Sequence, residues 1–309
     1  MKIVVMGSGG VGAYFGARLA ASGTDVTFIA RGEQLKTMQR DGLKILSANG
    51  DLTLKPVKAT DDIASIGHVD LAMIAVKLWS TEDAARAIAP LMGPNSAVVS
   101  WQNGVVAEDI LIKQYGKERV IGGVSNIAAL IEAPGVIRHN GTMARLIFAE
   151  LDGKPSKRVN AFAALCKRAH IDHVVSDDII RAIWQKFIFL ASFSGMTCAT
   201  RLSIGPIRSD PETRAMLKAA IEEVVAIGRA KGVSLPDNQA EQSLAWADNL
   251  PATMVASMLG DLNRGNRLEL PWLSGNVVKL GKELSVATPV HQFFYTALKL
   301  HADGKSATS

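Results

Sequence analysis

Lys186 stands in Ile183-Trp184-Gln185-Lys186-Phe187-Ile188-Phe189-Leu190, a stretch with no other charge. An ammonium in such company either snorkels to water along its methylene stem or is partly buried and tuned for acid–base chemistry. The pattern alone leaves both readings open. Glu269, in Arg267-Leu268-Glu269-Leu270-Pro271, precedes a helical pattern, where it also suits the role of a helix-dipole partner. Lys77 ends the apolar run Val69-Asp70-Leu71-Ala72-Met73-Ile74-Ala75-Val76, and Asn103 follows Ser96-Ala97-Val98-Val99-Ser100 by way of Trp101-Gln102. A lysine at such a place can meet a phosphate or a substrate anion. The asparagine can bond a nicotinamide or a substrate oxygen, although Asn103-Gly104 is equally an ordinary turn dipeptide. The two cysteines, Cys166 and Cys198, are too few for a disulfide framework or a multi-Cys zinc site. They read as reduced core thiols. No His/Cys/carboxylate cluster suggests a metal.

The segment Gly7-Ser8-Gly9-Gly10-Val11-Gly12 has the form G-x-G-x-x-G. It follows the β-branched run Lys2-Ile3-Val4-Val5-Met6 and opens a helical pattern carried by Val11, Phe15, Leu19 and Ala20. Asp25-Val26-Thr27-Phe28-Ile29-Ala30 is a second strand, which completes one βαβ unit. In that setting Gly7 permits the tight turn, Gly9 lets backbone approach a pyrophosphate, and Gly12 lets helix pack on strand. The helix N-terminus supplies free N–H groups and positive potential. Arg31 stands at the end of the second strand, where an acid would bond a ribose 2′-OH. An arginine there suits a 2′-phosphate, so the expected cofactor is NADP(H). Glu33, two residues on and past Gly32, is the rival acid.

Further strands, at Val69–Val76, Ser96–Ser100 and from Val120, alternate with a helix from Thr81 carrying Ala84, Ile88 and Leu91. Beyond about residue 175 the pattern is helical only, with helices predicted from Asp177-Asp178 through Phe187, over 210–231, 239–250, 271–284 and 290–301. The predicted fold is therefore an α/β Rossmann-type dinucleotide-binding domain over 1–175 and an all-α substrate and catalytic domain over 176–309, with a frayed tail from Asp303. At 48% hydrophobic and 20% charged residues the chain is not disordered. The formal charge of +5 suits anion binding without indicating nucleic acid. No apolar run is long enough to span a membrane, and the first run lacks a leader's cleavage site, so the cytoplasm is the expected compartment. The apolar helical half allows a homodimer.

The ordered set Gly7–Gly12 with Arg31, Val76-Lys77, Gln102-Asn103-Gly104, Trp184-Gln185-Lys186, Ser257-Met258-Leu259 with Asp261, Glu269, Gly275 and Thr288-Pro289 resembles the ketopantoate reductase (2-dehydropantoate 2-reductase) family over nearly the whole chain. The resemblance implies NADPH-dependent reduction of a 2-oxo acid, ketopantoate, to pantoate in pantothenate biosynthesis. It implies that Gly7, Ser8, Gly9, Gly10, Val11 and Gly12 hold the pyrophosphate and Arg31 the 2′-phosphate. It further implies that Lys77, Asn103, Ala128 and Glu269 contact the cofactor, that Asn103 and Ser257 meet substrate, and that Lys186 is the proton donor.

The sequence departs from the family at three positions. Leu190, Ser194 and Ile204 stand where substrate-facing asparagines are common. Asn-to-Leu removes a donor and an acceptor, and a site that loses such groups changes its discrimination. Leu190 and Ser194 are therefore candidate substrate-binding positions, and a bulkier 2-oxo acid is the alternative substrate. A non-catalytic NADP sensor of the same fold is a further alternative, against which the intact Lys186 and Glu269 argue.

Overall fold

The computed structural model describes residues 1–305. The chain divides into two compact units, one formed by Met1–Gln102 with Val106–Ala182, the other by Asn103–Val105 with the chain from Ile183 onward. The division thus falls inside a helix, later than the 175/176 boundary that the change of pattern suggests.

The first unit is built on β1 (Lys2–Met6), β2 (Asp25–Ile29), β3 (Leu43–Ser47), β4 (Leu52–Leu54), β5 (Ala59–Thr60), β6 (Val69–Ile74), β7 (Met92–Ser100), β8 (Val120–Ala133), β9 (Val136–Glu150) and β10 (Asp172–Val175). Its helices are α1 (Gly10–Ala21), α2 (Gly32–Asp41), α3 (Thr81–Ile88), α4 (Ala107–Tyr115) and α5 (Lys157–Arg168). The strands form one sheet in the order β4-β3-β9-β8-β7-β6-β1-β2-β5, with β10 also on β9. All pairings are parallel except β3–β4 and β8–β9. β1 lies between β2 and β6, and the sheet's strand order reverses there. Ligands of open α/β sheets collect at that reversal, beyond the carboxyl ends of the strands. β1 shows why its run has no polar alternation. Ile3 and Val5 enter one core with Tyr14, Phe15 and Phe28, while Val4 and Met6 enter another with Ile74, Ala84 and Ile88. Expected β6 stops earlier than Val76, and β7 begins before Ser96. β8 and β9 form a long hairpin joined by Pro134-Gly135, where Gly135 takes a φ of 72°. The register shifts between Ile127 and Ala129, so Ala128 has no partner in the ladder.

The second unit contains most of α6 (Ile179–Thr200), then α7 (Ile204–Ser209), α8 (Pro211–Ala230), α9 (Gln239–Asn249), α10 (Ser257–Arg264), α11 (Ser274–Leu284) and α12 (Pro289–Leu298). Asp178 opens α6 by accepting from the Arg181 N–H at 2.9 Å, and Asp210 opens α8 by accepting from the Thr213 N–H at 2.8 Å. Every residue of α6 from Ala191 to Cys198 is buried, as befits a central helix. Phe187, Ile188, Leu217, Ile221, Val224, Val277 and Phe294 fill the core around it. The helix expected from Pro271 starts at Ser274, because Leu270–Trp272 forms a separate 3-10 turn. The expected fraying does not begin at Asp303: the Lys305 N–H donates to the Gly265 carbonyl at 2.9 Å. The rest of that predicted tail, 306–309, lies outside the described residues. Both cysteines are free and buried, and burial pushes each thiol up to about 12. Among the described residues no helix is long and apolar enough to cross a membrane.

Candidate active site

The glycine turn joins β1 to α1, and its three structural glycines have different surroundings. Gly7 has a φ of 106°, and a Cβ on it would lie 2.7 Å from the Ala75 carbonyl carbon and the Val76 nitrogen. A Cβ on Gly12 would collide with the Gly7 carbonyl. A Cβ on Gly9 meets nothing within 4 Å, so that side of the turn is open. No side chain caps α1, and its first N–H groups have no intrahelical acceptor. The Ala13 N–H, bonded to the Gly9 carbonyl at 2.9 Å, is where the helical ladder starts. A tight turn with an open face and donors that have no intrahelical acceptor fits a dinucleotide pyrophosphate.

Neighbouring segments are tied to this turn. Ser8 Oγ donates to the Ile29 carbonyl at 2.9 Å, and Gln34 Nε2 donates to the Ser8 carbonyl at 3.1 Å. These bonds fix the end of β2, and with it Arg31, beside the glycines. The Ser8 hydroxyl proton and carbonyl are therefore engaged with the protein, which leaves the Ser8 backbone N–H for a ligand. Arg31 is exposed at the N-cap of α2, and no ion pair holds it among the described residues. Glu33 is held differently. Lys36 Nζ donates to its carboxylate at 2.7 Å, and that bond draws the Glu33 pKa below the ordinary value. On the other side of the turn, Gly10 packs so closely on the Ala129 backbone that no Cβ would fit. Exposed, unladdered Ala128 is thereby next to the start of α1. Lys77 is exposed at the end of the β6 segment, with Nζ 5.9 Å from the Trp79 ring centroid.

The second unit carries the other group. Asn103 Nδ2 donates to Glu269 Oε2 at 3.2 Å, and Glu269 is 6% exposed. Glu269 is therefore more than a dipole partner of α11, which begins five positions later at Ser274. Lys186 is half-buried on α6, a helix without another charge between Ile183 and Thr200. Leu190 is half-buried one turn on and packs against the helical core. Ser194 is 1% exposed. Ser192, Thr197 and Thr200 bond their hydroxyls to the carbonyls four residues back, whereas the buried Ser194 hydroxyl has no partner among the described residues. Ile204 is wholly buried in the helical core and presents no apolar wall to solvent. Ser257 is exposed at the first position of α10. The side chain of Gln102, to which the sequence pattern assigns no role of its own, is fully engaged at the carboxyl ends of β6 and β7.

Comparison with known proteins identifies the family and the fold. The family model described as ketopantoate reductase PanE/ApbA matches residues 3–153, and its C-terminal companion matches 178–302. The 2-dehydropantoate 2-reductase of Mesorhizobium japonicum is 33% identical, over 94% of this chain and 94% of that protein. A Bacillus subtilis protein named only as an uncharacterized oxidoreductase, YkpB, is 29% identical over 97% of this chain and 99% of its own. The crystal structure of 2-dehydropantoate 2-reductase from Geobacter metallireducens is similar with a TM-score of 0.90 at 28% identity, covering 97% and 99% of the two chains. This chain belongs to the ketopantoate reductase family, nicotinamide-dinucleotide-dependent oxidoreductases acting on CH–OH groups.

Proposed function

We propose that this chain reduces the keto group of a 2-oxo acid with NADPH, and that the substrate is 2-dehydropantoate, which becomes pantoate. The substrate is taken from the full-length relative at 33% identity that bears that name. The observation that carries the chemistry is a half-buried lysine on the central helix α6, which has no other charge from Ile183 to Thr200, in the unit that also holds the Asn103–Glu269 pair.

In this reading the backbone of Gly7–Gly12 holds the pyrophosphate and Arg31 the 2′-phosphate. Lys77, Asn103, Ala128 and Glu269 contact the rest of the dinucleotide. When bound, the cofactor supplies the hydride that the 2-oxo carbon accepts. Lys186 faces the carbonyl oxygen, where negative charge builds. Its ammonium stabilises that charge and gives the oxygen a proton, leaving a neutral amine that solvent reprotonates. Glu269 accepts from Asn103 and so orients the amide. Ser257 binds the substrate.

Leu190 favours a second reading, in which the preferred substrate is a bulkier 2-oxo acid. The test is NADPH oxidation across a panel of 2-oxo acids, with wild type and Leu190→Asn. High activity on 2-dehydropantoate supports the first reading. A preference for larger acids that Leu190→Asn shifts toward 2-dehydropantoate supports the second. Turnover of no 2-oxo acid would overturn both.

A further inference from the structure

Gln102 has no part in the chemistry above, yet its side chain joins two loops of the dinucleotide-binding unit. Nε2 donates to the Val76 carbonyl at 2.9 Å and to Thr81 Oγ1 at 2.8 Å. Oε1 accepts from Ser100 Oγ at 3.1 Å, and the Gln102 N–H donates to the same hydroxyl at 3.1 Å. Thr81 Oγ1 passes its own proton to the Leu78 carbonyl at 2.8 Å. The turn between β6 and α3 is thus held on both sides of Lys77, at Val76 before it and at Thr81 after it. The Ser80 N–H closes the turn on the Lys77 carbonyl at 2.9 Å.

This clamped segment is also the floor of the glycine turn. The Gly7 Cα faces the Ala75–Val76 peptide so closely that a Cβ would come within 2.7 Å of the Val76 nitrogen. A displacement of the Val76 carbonyl would change both where the glycine turn rests and where the Lys77 side chain departs. A primary amide suits this position chemically. It offers two donors for Val76 and Thr81 and an acceptor for Ser100, a combination that neither a carboxylate nor an alkyl group supplies.

We propose that Gln102 is a positioning residue for dinucleotide binding, acting through Lys77 by clamping the Val76–Thr81 turn. The proposal rests on the reading of Lys77 as a contact to the dinucleotide. It makes a prediction that a merely structural glutamine does not, because residues acting through one another are non-additive.

The test is a fluorescence titration of NADPH on the full chain for wild type, Gln102→Ala, Lys77→Ala and the double variant. Each single change should weaken binding by roughly 10-fold, the size of one lost charge-assisted contact. Adding Gln102→Ala to Lys77→Ala should weaken it further by less than about 2-fold. Equal weakening by Gln102→Ala in both backgrounds, or none in wild type, overturns the proposal and leaves the reading of Lys77 standing. A wild-type affinity for Lys77→Ala removes Lys77 from the site, and the proposal with it. Should Gln102→Ala fail to fold by circular dichroism, Gln102→Glu serves in the same cycle. It keeps the acceptor for Ser100 but sets an oxygen against the Val76 carbonyl. Its deficit relative to wild type should shrink as the pH is lowered and the new carboxyl gains a proton to donate. A deficit independent of pH counts against the clamp.

Discussion

Arg31 and Glu33 have opposite charges just beyond the same end of β2, and the proposed preference for NADPH rests on the difference between their surroundings. Glu33 is tied to Lys36, whose ammonium occupies its carboxylate and balances its charge. Arg31 is exposed and held by no ion pair among the described residues. Arg31→Ala should therefore cost roughly 1.5–3 kcal/mol in kcat/KM with NADPH and little with NADH. Equal use of the two cofactors by wild type would refute the assignment. Lys186 is the second decisive residue. Its removal should leave NADPH affinity near wild type, since the phosphate contacts of the reading lie in the other unit. It should lower kcat by roughly 10²–10⁴-fold, the size of a lost general acid. A folded Lys186→Ala protein that turns over its 2-oxo acid at near the wild-type rate would end the proposed role.

At the scale of elements, α12 shows how a helix start can be completed from another helix. The side chain of its N-cap residue, Thr288, makes no capping bond. Glu223 of α8 instead accepts from the N–H groups of Val290 and His291 at 2.7 and 3.0 Å. Glu223→Ala should leave one buried and one half-buried donor without this acceptor and destabilise the helical unit by about 1–3 kcal/mol. Glu223→Gln, which keeps one acceptor oxygen, should lose less; urea unfolding would rank the two. Sequence reading could place α8, because Asp210-Pro211 is a local start signal, but not this cap, whose partner is 67 positions away. The same limit explains the missed hairpin. β8 carries Gly122-Gly123 and a ladder break at Ala128, and β9 carries Arg138, Asn140 and Gly141, so neither alternates cleanly. α7 and α10 are short, and Gly205-Pro206 and Gly260 blur their periodicity. Among the residues of the proposed site, the glycine turn, Arg31, Lys186 and Glu269 stand out in the sequence because their residue types are unusual for their neighbourhoods. The Gln102 clamp does not, since one of its acceptors is a backbone carbonyl 26 positions away.

At the scale of the whole molecule, the two units should respond differently to acid, and His291 is the group that predicts how. Its ring is fully buried in the helical unit, edge-on to Phe294, with Nε2 3.1 Å from the Ala220 carbonyl and Nδ1 3.3 Å from Ser274 Oγ. A neutral ring with its proton on Nε2 satisfies both neighbours: it donates to the carbonyl and accepts from the hydroxyl. Burial lowers its pKa from 6.5 to about 4. The folded pKa lies below the unfolded one, so between these values the unfolded chain binds the extra proton. The stabilisation is present above pH 6.5 and is lost as the pH falls toward 4, by about 3 kcal/mol in all. Glu223 works in the opposite sense. Burial raises its carboxyl pKa, so the folded state takes up that proton first and regains stability as the pH falls. Wild type alone would blend the two effects, whereas comparison with His291→Gln cancels the shared Glu223 contribution. A two-unit chain need not unfold in one step, so the measurement should resolve the units. Hydrogen exchange of the α6 and α12 amides, corrected for intrinsic rates, does so. From pH 7 to pH 4 the protection of these helices should fall by about 3 kcal/mol more in wild type than in the variant. A difference between the two proteins that is constant across that range would mean that His291 does not couple folding to protons.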